Sequence, residues 1–344
     1  MHAFLLATLR CLRRLMTCCL LAGLALPLVA FGITLPTTPQ TAPAISTPIS
    51  PPVSPDCTKG KVLSFVAHPD DDLLFMNPDQ DDAIRQGQCV HVLYLTAGDR
   101  GEGMPYTQAR ERGIMSAYAF MAGTTSVWDT DGLTVGAHTL VRHTLRANPR
   151  VQLLMLRLPD PWLGAGWGSL TPMSQLESIP GGQVQAYAPY QDSYTRDDLV
   201  RMLADLIMQE QPKAIRLMDP SIAIPYQSLC WRCEGHDHPD HIAGARLVTE
   251  AMALAPGAYT QTTYLNYPSK EQPANLDADQ IARKTEIFLR YAVEDTKMCP
   301  TGVSCATPPG LEATWVSRKY YVEPGVAAPL QAGTAPALQP DATP

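Results

Sequence analysis

Lys61-Val62-Leu63-Ser64-Phe65-Val66-Ala67-His68-Pro69-Asp70-Asp71-Asp72 is the stretch that decides how this chain folds. Residues 61–67 form a near-continuous apolar run, as a strand buried on both faces requires. The run stops at a histidine, a proline and three carboxylates. Three adjacent acids repel one another, so the turn favours a nearby cation over a purely structural role. Working outward, comparable runs at 90–96 (VHVLYLT), 151–157 (VQLLMLR) and 214–218 (AIRLM) predict further strands. Helices are predicted at 79–86, at 107–122 with Thr107 as N-cap, at 195–210 with Thr195 and Asp198 as a capping pair, at 239–253 and at 276–293. This alternation predicts an α/β chain with a Rossmann-like, doubly wound, mostly parallel sheet in a single domain. In such sheets ligands bind outside the carboxyl ends of the strands, where His68–Asp72 sit.

A second cluster, Gly235-His236-Asp237-His238-Pro239-Asp240-His241, follows the predicted strand 214–218 by a loop. It opens a helix at Pro239, a residue suited to a first helical turn. His68 and Asp71 are three apart at a loop-to-helix junction and can converge on one ion. His238 and His241, also three apart, can face the same cavity. Together the clusters offer two neutral imidazoles and a carboxylate, with one position left for water. That is a catalytic zinc arrangement, and the same set also suits Fe(II). Asp70 is then a spare carboxylate suited to act as general base. His238 is a spare imidazole suited to carry a proton or hold an oxyanion. His236 and Asp237 are read as lying outside the ligand set.

The chain has 344 residues, 45% apolar and 17% charged, with a net charge of −7. This composition supports a sizeable core and excludes wholesale disorder. An acidic balance without a Lys/Arg block excludes a nucleic-acid partner. Arg10, Arg13 and Arg14 precede an apolar segment, Leu15 to Phe31, with small residues Ala30 and Gly32 at its end. This layout predicts a signal peptide over 1–32. The segment is short for a span and is broken by Pro27, so no stable membrane span is expected after cleavage. The predicted location is therefore outside the cytoplasm, periplasmic or secreted. A Pro/Thr-rich linker follows at 33–56, and a Pro/Ala-rich tail is expected to be disordered at 323–344. The folded domain is predicted at 57–322. Nine cysteines less the three of the leader leave six, an even number that reads as disulfides in an exported chain. Cys57 and Cys89 each precede a predicted strand and bridge if those strands are parallel neighbours. Cys230–Cys233 and Cys299–Cys305 would close small local loops.

The motifs Ala67-His68-Pro69-Asp70-Asp71-Asp72 and His238-Pro239-Asp240-His241 resemble the paired motifs of the PIG-L/LmbE-like family of metal-dependent N-acetylglucosamine deacetylases. Thr96-Ala97-Gly98-Asp99-Arg100-Gly101 is similar to that family's loop after its second strand. The resemblance covers residues 60–295 in organisation and is sharp only at these motifs. It implies that His68, Asp71 and His241 are metal ligands and that Asp70 is the general base. It implies that His238 stabilises the oxyanion and protonates the leaving amine, and that Arg100 and Asp160 contact sugar hydroxyls. The chain departs from the family near its end, where a Lys is often followed later by His-x-Ser-Gln. Lys284 fits the lysine, but the expected histidine region reads Tyr291-Ala292-Val293-Glu294. Between 160 and 194, Trp162, Trp167, Tyr187, Tyr190 and Tyr194 offer ring faces for stacking on sugars.

The activity implied is that of an exported zinc-dependent hydrolase. It removes an acyl group, acetyl in the first instance, from the amide nitrogen of an N-acetylglucosamine-type sugar or glycoconjugate. One alternative is an amidase of the same superfamily acting on another amide-linked glycoconjugate. Another is a non-catalytic, metal-dependent glycan-binding module, against which Asp70 argues, because a binder needs no base. An Fe(II) oxygenase is disfavoured, because its two-His, one-carboxylate sites sit mostly in all-β barrels.

Overall fold

The computed structural model describes residues 55–164, 167–231, 233–299, 307–308 and 310–322. The predicted leader 1–32, nearly all of the linker 33–56, the tail 323–344 and Cys305 lie outside the described residues. The strands are β1 (Lys61–Val66), β2 (Cys89–Thr96), β3 (Trp128–Val135), β4 (His138–Leu145), β5 (Val151–Leu158), β6 (Gln183–Gln185), β7 (Ser193–Thr195), β8 (Ala214–Met218) and β9 (Thr260–Tyr264). The α-helices are α1 (Asp79–Arg85), α2 (Met104–Met121), α3 (Pro172–Ser178), α4 (Arg196–Glu210), α5 (Pro239–Leu254), α6 (Ala278–Ala292) and α7 (Glu312–Trp315).

Seven strands form one sheet in the order β3-β4-β5-β2-β1-β8-β9. Strands β5, β2, β1, β8 and β9 run parallel, and β4 and β3 extend the sheet antiparallel. Every residue of β2 and β5 is buried, which explains why their sequences read as largely apolar runs. Helix α2 packs on α6, while α3 and α4 pack on α5. From β1 the chain first builds outward through β2 and β5, then crosses to the other side of β1 for β8 and β9. The crevice between the carboxyl ends of β1 and β8 is therefore the switch point where a doubly wound sheet takes its ligand.

Lys61 of β1 is the register partner of Cys89 of β2, so the amino ends of these strands meet. Cys57 and Cys89 are bridged there, as the sequence predicts, and Cys230 is bridged to Cys233. Thr195 and Asp198 form the expected capping box of α4. Helix α2 starts three residues before the predicted position: Gly103, with φ +72°, is its N-cap, Pro105 occupies its first turn, and Thr107 lies inside it. Strands β3, β4 and β9 have no counterpart among the predicted elements. Their polar residues (WDTDGLTV, HTLVRHTL, TQTTY) face solvent on an outer hairpin and at the opposite edge.

Candidate active site

His68 through Asp72 leave the carboxyl end of β1, and Asp72 begins one turn of π-helix, Asp72–Met76. The turn separates the three carboxylates. Asp71 points to the interior of the switch-point crevice, where its Oδ2 accepts the His68 backbone N–H at 2.6 Å. Asp72 turns away and accepts hydroxyl donors from Tyr94 (2.9 Å) and Tyr118 (2.5 Å). Burial pushes its carboxyl up to about 7, so this third acid of the motif is structural. Asp70 lies at the pocket wall with φ +139°, a backbone conformation that side-chain-bearing residues seldom adopt.

The partner histidines arrive on α5. His238 is the N-cap, its Nδ1 accepting the Asp240 backbone N–H at 3.2 Å, and His241 is fully buried one turn on. His241 Nε2 lies 3.0 Å from Asp71 Oδ1 and 3.1 Å from His68 Nδ1. His241 Nδ1 lies 2.6 Å from Asp237 Oδ1, and a carboxylate only accepts, so Nδ1 carries the proton. A neutral ring would present a bare lone pair at Nε2 to a carboxylate oxygen and a second imidazole, so the arrangement calls for a positive charge there, either a metal ion or a proton on Nε2. Electrostatics says the same. Burial opposes a charge on His68, but Asp71 and Asp160 carry its pKa well above the usual imidazole range. Burial likewise opposes a charge on His241, which Asp71 and Asp237 raise to about 9. Burial would raise Asp71, but His241 and His68 hold it below the ordinary carboxylate range. His68, Asp71 and His241 thus bring three ligand atoms within 4.8 Å of one another, in a buried donor set that fits a divalent metal. His68, His238 and Asp240 satisfy the same distance test, sharing His68 with the first group.

Asp237 lies outside the ligand set, as the sequence reading has it, and supports His241. It is fully buried, orients His241 and accepts a further hydrogen bond from Asn266 Nδ2 at 3.1 Å. Asp240 is also fully buried; Thr171 donates to its Oδ1, while Oδ2 lies 3.6 Å from His68 Nε2 without a hydrogen bond.

A pocket of about 210 Å³ opens beside these groups, and His68, Asp70, Arg100, Asp160 and His238 all line it. Burial pushes Asp70 up to about 7, opposed by Arg110, whose Nη2 is 3.0 Å from Asp70 Oδ2, and reinforced by the Asp71 charge. Burial drives His238 well below the usual imidazole range, helped by positive charge on His68 and His241. His238 is therefore neutral, and with Nδ1 occupied by the helix cap its one donor is Nε2–H. Asp160 Oδ2 stands 3.6 Å from His68 Nε2, and burial pushes its carboxyl up to about 7. Arg100 lies 4.4 Å over the Trp162 ring at the pocket rim.

Arg110 gave no local signal in the sequence. Its guanidinium donates to the carbonyls of Gly98 (2.8 Å) and Pro69 (2.7 Å) and to Tyr291 Oη (2.6 Å). Gly98, at φ +57°, has no side chain where the guanidinium and Pro69 pack. Asp295 accepts from Tyr106 (2.6 Å) and Tyr291 (2.7 Å) and lines the pocket. Tyr291 and Asp295 thus occupy the region where the resembled family often carries histidine. Lys284 does not line the pocket. It is buried and donates to the carbonyls of Trp315 (3.1 Å) and Arg318 (2.5 Å). Of the aromatic residues between 160 and 194, Trp162 and Trp167 line the pocket, whereas Tyr187 bonds Asp99 and Tyr194 is buried against His138. Trp231 and Tyr267 complete an aromatic wall with Trp167, ring centres 5.2 Å apart for Trp167 and Trp231 and for Trp231 and Tyr267.

Residues 63–252, more than half of the chain, match the family model for GlcNAc-PI de-N-acetylase, PIG-L. Comparison with curated proteins found no match. Similar solved structures include an N,N'-diacetylchitobiose deacetylase from Pyrococcus horikoshii, at 16% identity over 69% of this chain and 70% of that one, with a TM-score of 0.37. A 4-carboxy-2-hydroxymuconate hydratase from Pseudomonas putida KT2440 is similar at 17% identity over 72% and 91%, with a TM-score of 0.36. A zinc-inhibited form of a teicoplanin deacetylase is similar at 13% identity over 70% and 85%, with a TM-score of 0.39.

Proposed function

The chain belongs to the PIG-L family of GlcNAc-PI de-N-acetylases, and from that premise we propose that it is an exported zinc-dependent hydrolase. It removes an acetyl group from the amide nitrogen of an N-acetylglucosamine-type sugar or glycoconjugate. The observation that carries this reading is the juxtaposition of two buried sets. His68, Asp71 and His241 form a cation site, and Asp70 stands beside it on the wall of an accessible pocket.

His68, Asp71 and His241 would hold a divalent ion, which would supply Lewis acidity toward the amide carbonyl and the attacking water. Asp70 takes the proton from the attacking water. Its carboxylate lies next to ligand Asp71 on the pocket wall, placed to accept that proton. Arg110 keeps this buried carboxylate paired. His238 offers Nε2–H to the oxygen on which negative charge develops, and Asp70 passes the proton it took from water to the departing amine. Arg100 and Asp160, on the pocket wall, hold sugar hydroxyls. The two disulfides, Cys57–Cys89 and Cys230–Cys233, suit an oxidising compartment. In this reading, leader 1–32, linker 33–56 and tail 323–344 flank the catalytic domain 57–322. The test is mass spectrometry of a panel of N-acylated amino sugars incubated with the purified, zinc-loaded chain. Loss of one acetyl group is expected. A full set of intact substrates would overturn the proposal.

A further inference from the structure

Asp99 lies just past the carboxyl end of β2, is 1% exposed and does not line the catalytic pocket. Its Oδ1 accepts the Asp160 backbone N–H at 2.7 Å. Its Oδ2 accepts the Gly101 backbone N–H and the Tyr187 hydroxyl, each at 3.1 Å. One buried carboxylate thus takes donors from three segments: the loop after β2, the loop after β5 and the stretch after β6. The first two loops also meet where the Ala97 backbone N–H donates to the Leu158 carbonyl at 2.7 Å.

The residues that Asp99 holds are the ones that face the pocket. Arg100 and Asp160 both line it. Arg100 has φ +50° and Gly101 φ +77°, two successive left-handed residues. An arginine seldom adopts that conformation, and the turn that the Asp99 side chain closes onto Gly101 holds it there. The Arg100 guanidinium then lies 4.4 Å over the ring of Trp162, which belongs to the same loop as Asp160. Asp99 therefore joins the two loops beneath the pocket, and the Arg100–Trp162 stack joins them at its rim.

We propose that Asp99 is a positioning residue. It fixes Arg100 and Asp160 relative to each other and so governs substrate binding without entering the chemical step. This role rests on the amino-sugar reading above, in which that pair holds sugar hydroxyls.

Asp99→Asn keeps the side-chain shape but turns one acceptor oxygen into an NH2 donor that faces a second donor. On the zinc-loaded full chain it is expected to raise KM for N-acetylglucosamine by about tenfold, with kcat within about twofold of wild type. A lower kcat at unchanged KM would overturn the proposal. In an Arg100→Met/Asp160→Asn background, adding Asp99→Asn is expected to change KM by less than about twofold, because its route to the substrate is already cut. A tenfold rise in that background as well would show that Asp99 acts elsewhere. Calorimetric titration of N-acetylglucosamine into Asp70→Asn, with and without Asp99→Asn, needs no turnover. Binding weakened by about tenfold supports the positioning role even if no sugar is deacetylated, a result that would overturn only the catalytic reading. Equal binding overturns the role. Amide hydrogen exchange locates the effect: faster exchange is expected at Gly101 and Asp160 and not in α6. If Asp99→Asn does not fold, Tyr187→Phe, which removes one donor and leaves both backbone bonds, decides. It is expected to raise KM by about twofold, and wild-type KM with wild-type exchange at Gly101 and Asp160 would overturn the proposal.

Discussion

Arg110 Nη2 lies 3.0 Å from Asp70 Oδ2, and the same guanidinium grips the carbonyls of Pro69 and Gly98. One side chain from α2 therefore fixes both the carboxylate and the backbone of the loop that carries it. Asp70→Asn keeps the shape of the side chain and removes the proposed base. Deacetylation should fall by about 10²–10⁴-fold while zinc stoichiometry stays near one per chain, as read by elemental analysis. Loss of metal in that variant would show that Asp70 is a ligand.

In the proposed site, Asp237 would act on the metal through His241. Its Oδ1 fixes the Nδ1 proton, which keeps the Nε2 lone pair directed at Asp71 and His68. Asp237→Asn should weaken zinc affinity by about 10–100-fold, measured by competition with a chelator. His241→Ala should abolish binding in the same assay. An Asp237→Asn variant with wild-type affinity would mean that the ring is oriented by its packing alone.

The Cys57–Cys89 bridge spans a sequence separation of 32. In the chain-entropy description a loop of that length contributes about 3–4 kcal/mol by restricting the unfolded chain. The double variant Cys57→Ser/Cys89→Ser should lose stability of that order in urea unfolding. Its active-site geometry should be kept, because the bridge lies at the amino ends of β1 and β2, opposite the pocket. Wild-type stability without the bridge would rule out this contribution.

Lys284 predicts an alkaline gain in stability. Burial, with Lys319 adding repulsion, pushes its amine down to about 7, whereas the unfolded chain titrates near the ordinary lysine value. Between about pH 7 and pH 10 the unfolded chain binds a proton that the folded chain has lost, so stability rises with pH across that window. The contribution is limited to about 1.4 kcal/mol per pH unit for one proton. Lys284→Met should remove this slope in urea midpoints measured across the window. Parallel profiles for the two proteins would refute it.

The parallel strands were legible because full burial leaves an unmistakable apolar run, as in Val151–Leu158. The two histidine motifs were legible because they fall at strand and helix ends, where short spacing translates directly into convergence. The hairpin of β3 and β4 was hidden by polar residues that its exposed face permits. Arg110, Tyr291 and Asp295 were hidden for a different reason. Their contacts join positions as much as 189 residues apart, and no local pattern encodes which distant partner a buried Arg or Asp will meet. Asp237 was read as lying outside the ligand set, which fits its contact with His241, but adjacency to two histidines does not reveal which ring nitrogen it will hold.

The backbone at Asp70 carries a wider consequence. At φ +139° glycine would be the more comfortable occupant, and burial further penalises an ionised side chain there. The position is therefore held against the preference of the fold itself. If variants of this chain were selected for heat resistance alone, residue 70 is a position whose backbone would favour glycine, and on the catalytic reading above the survivors would keep the fold and lose the reaction.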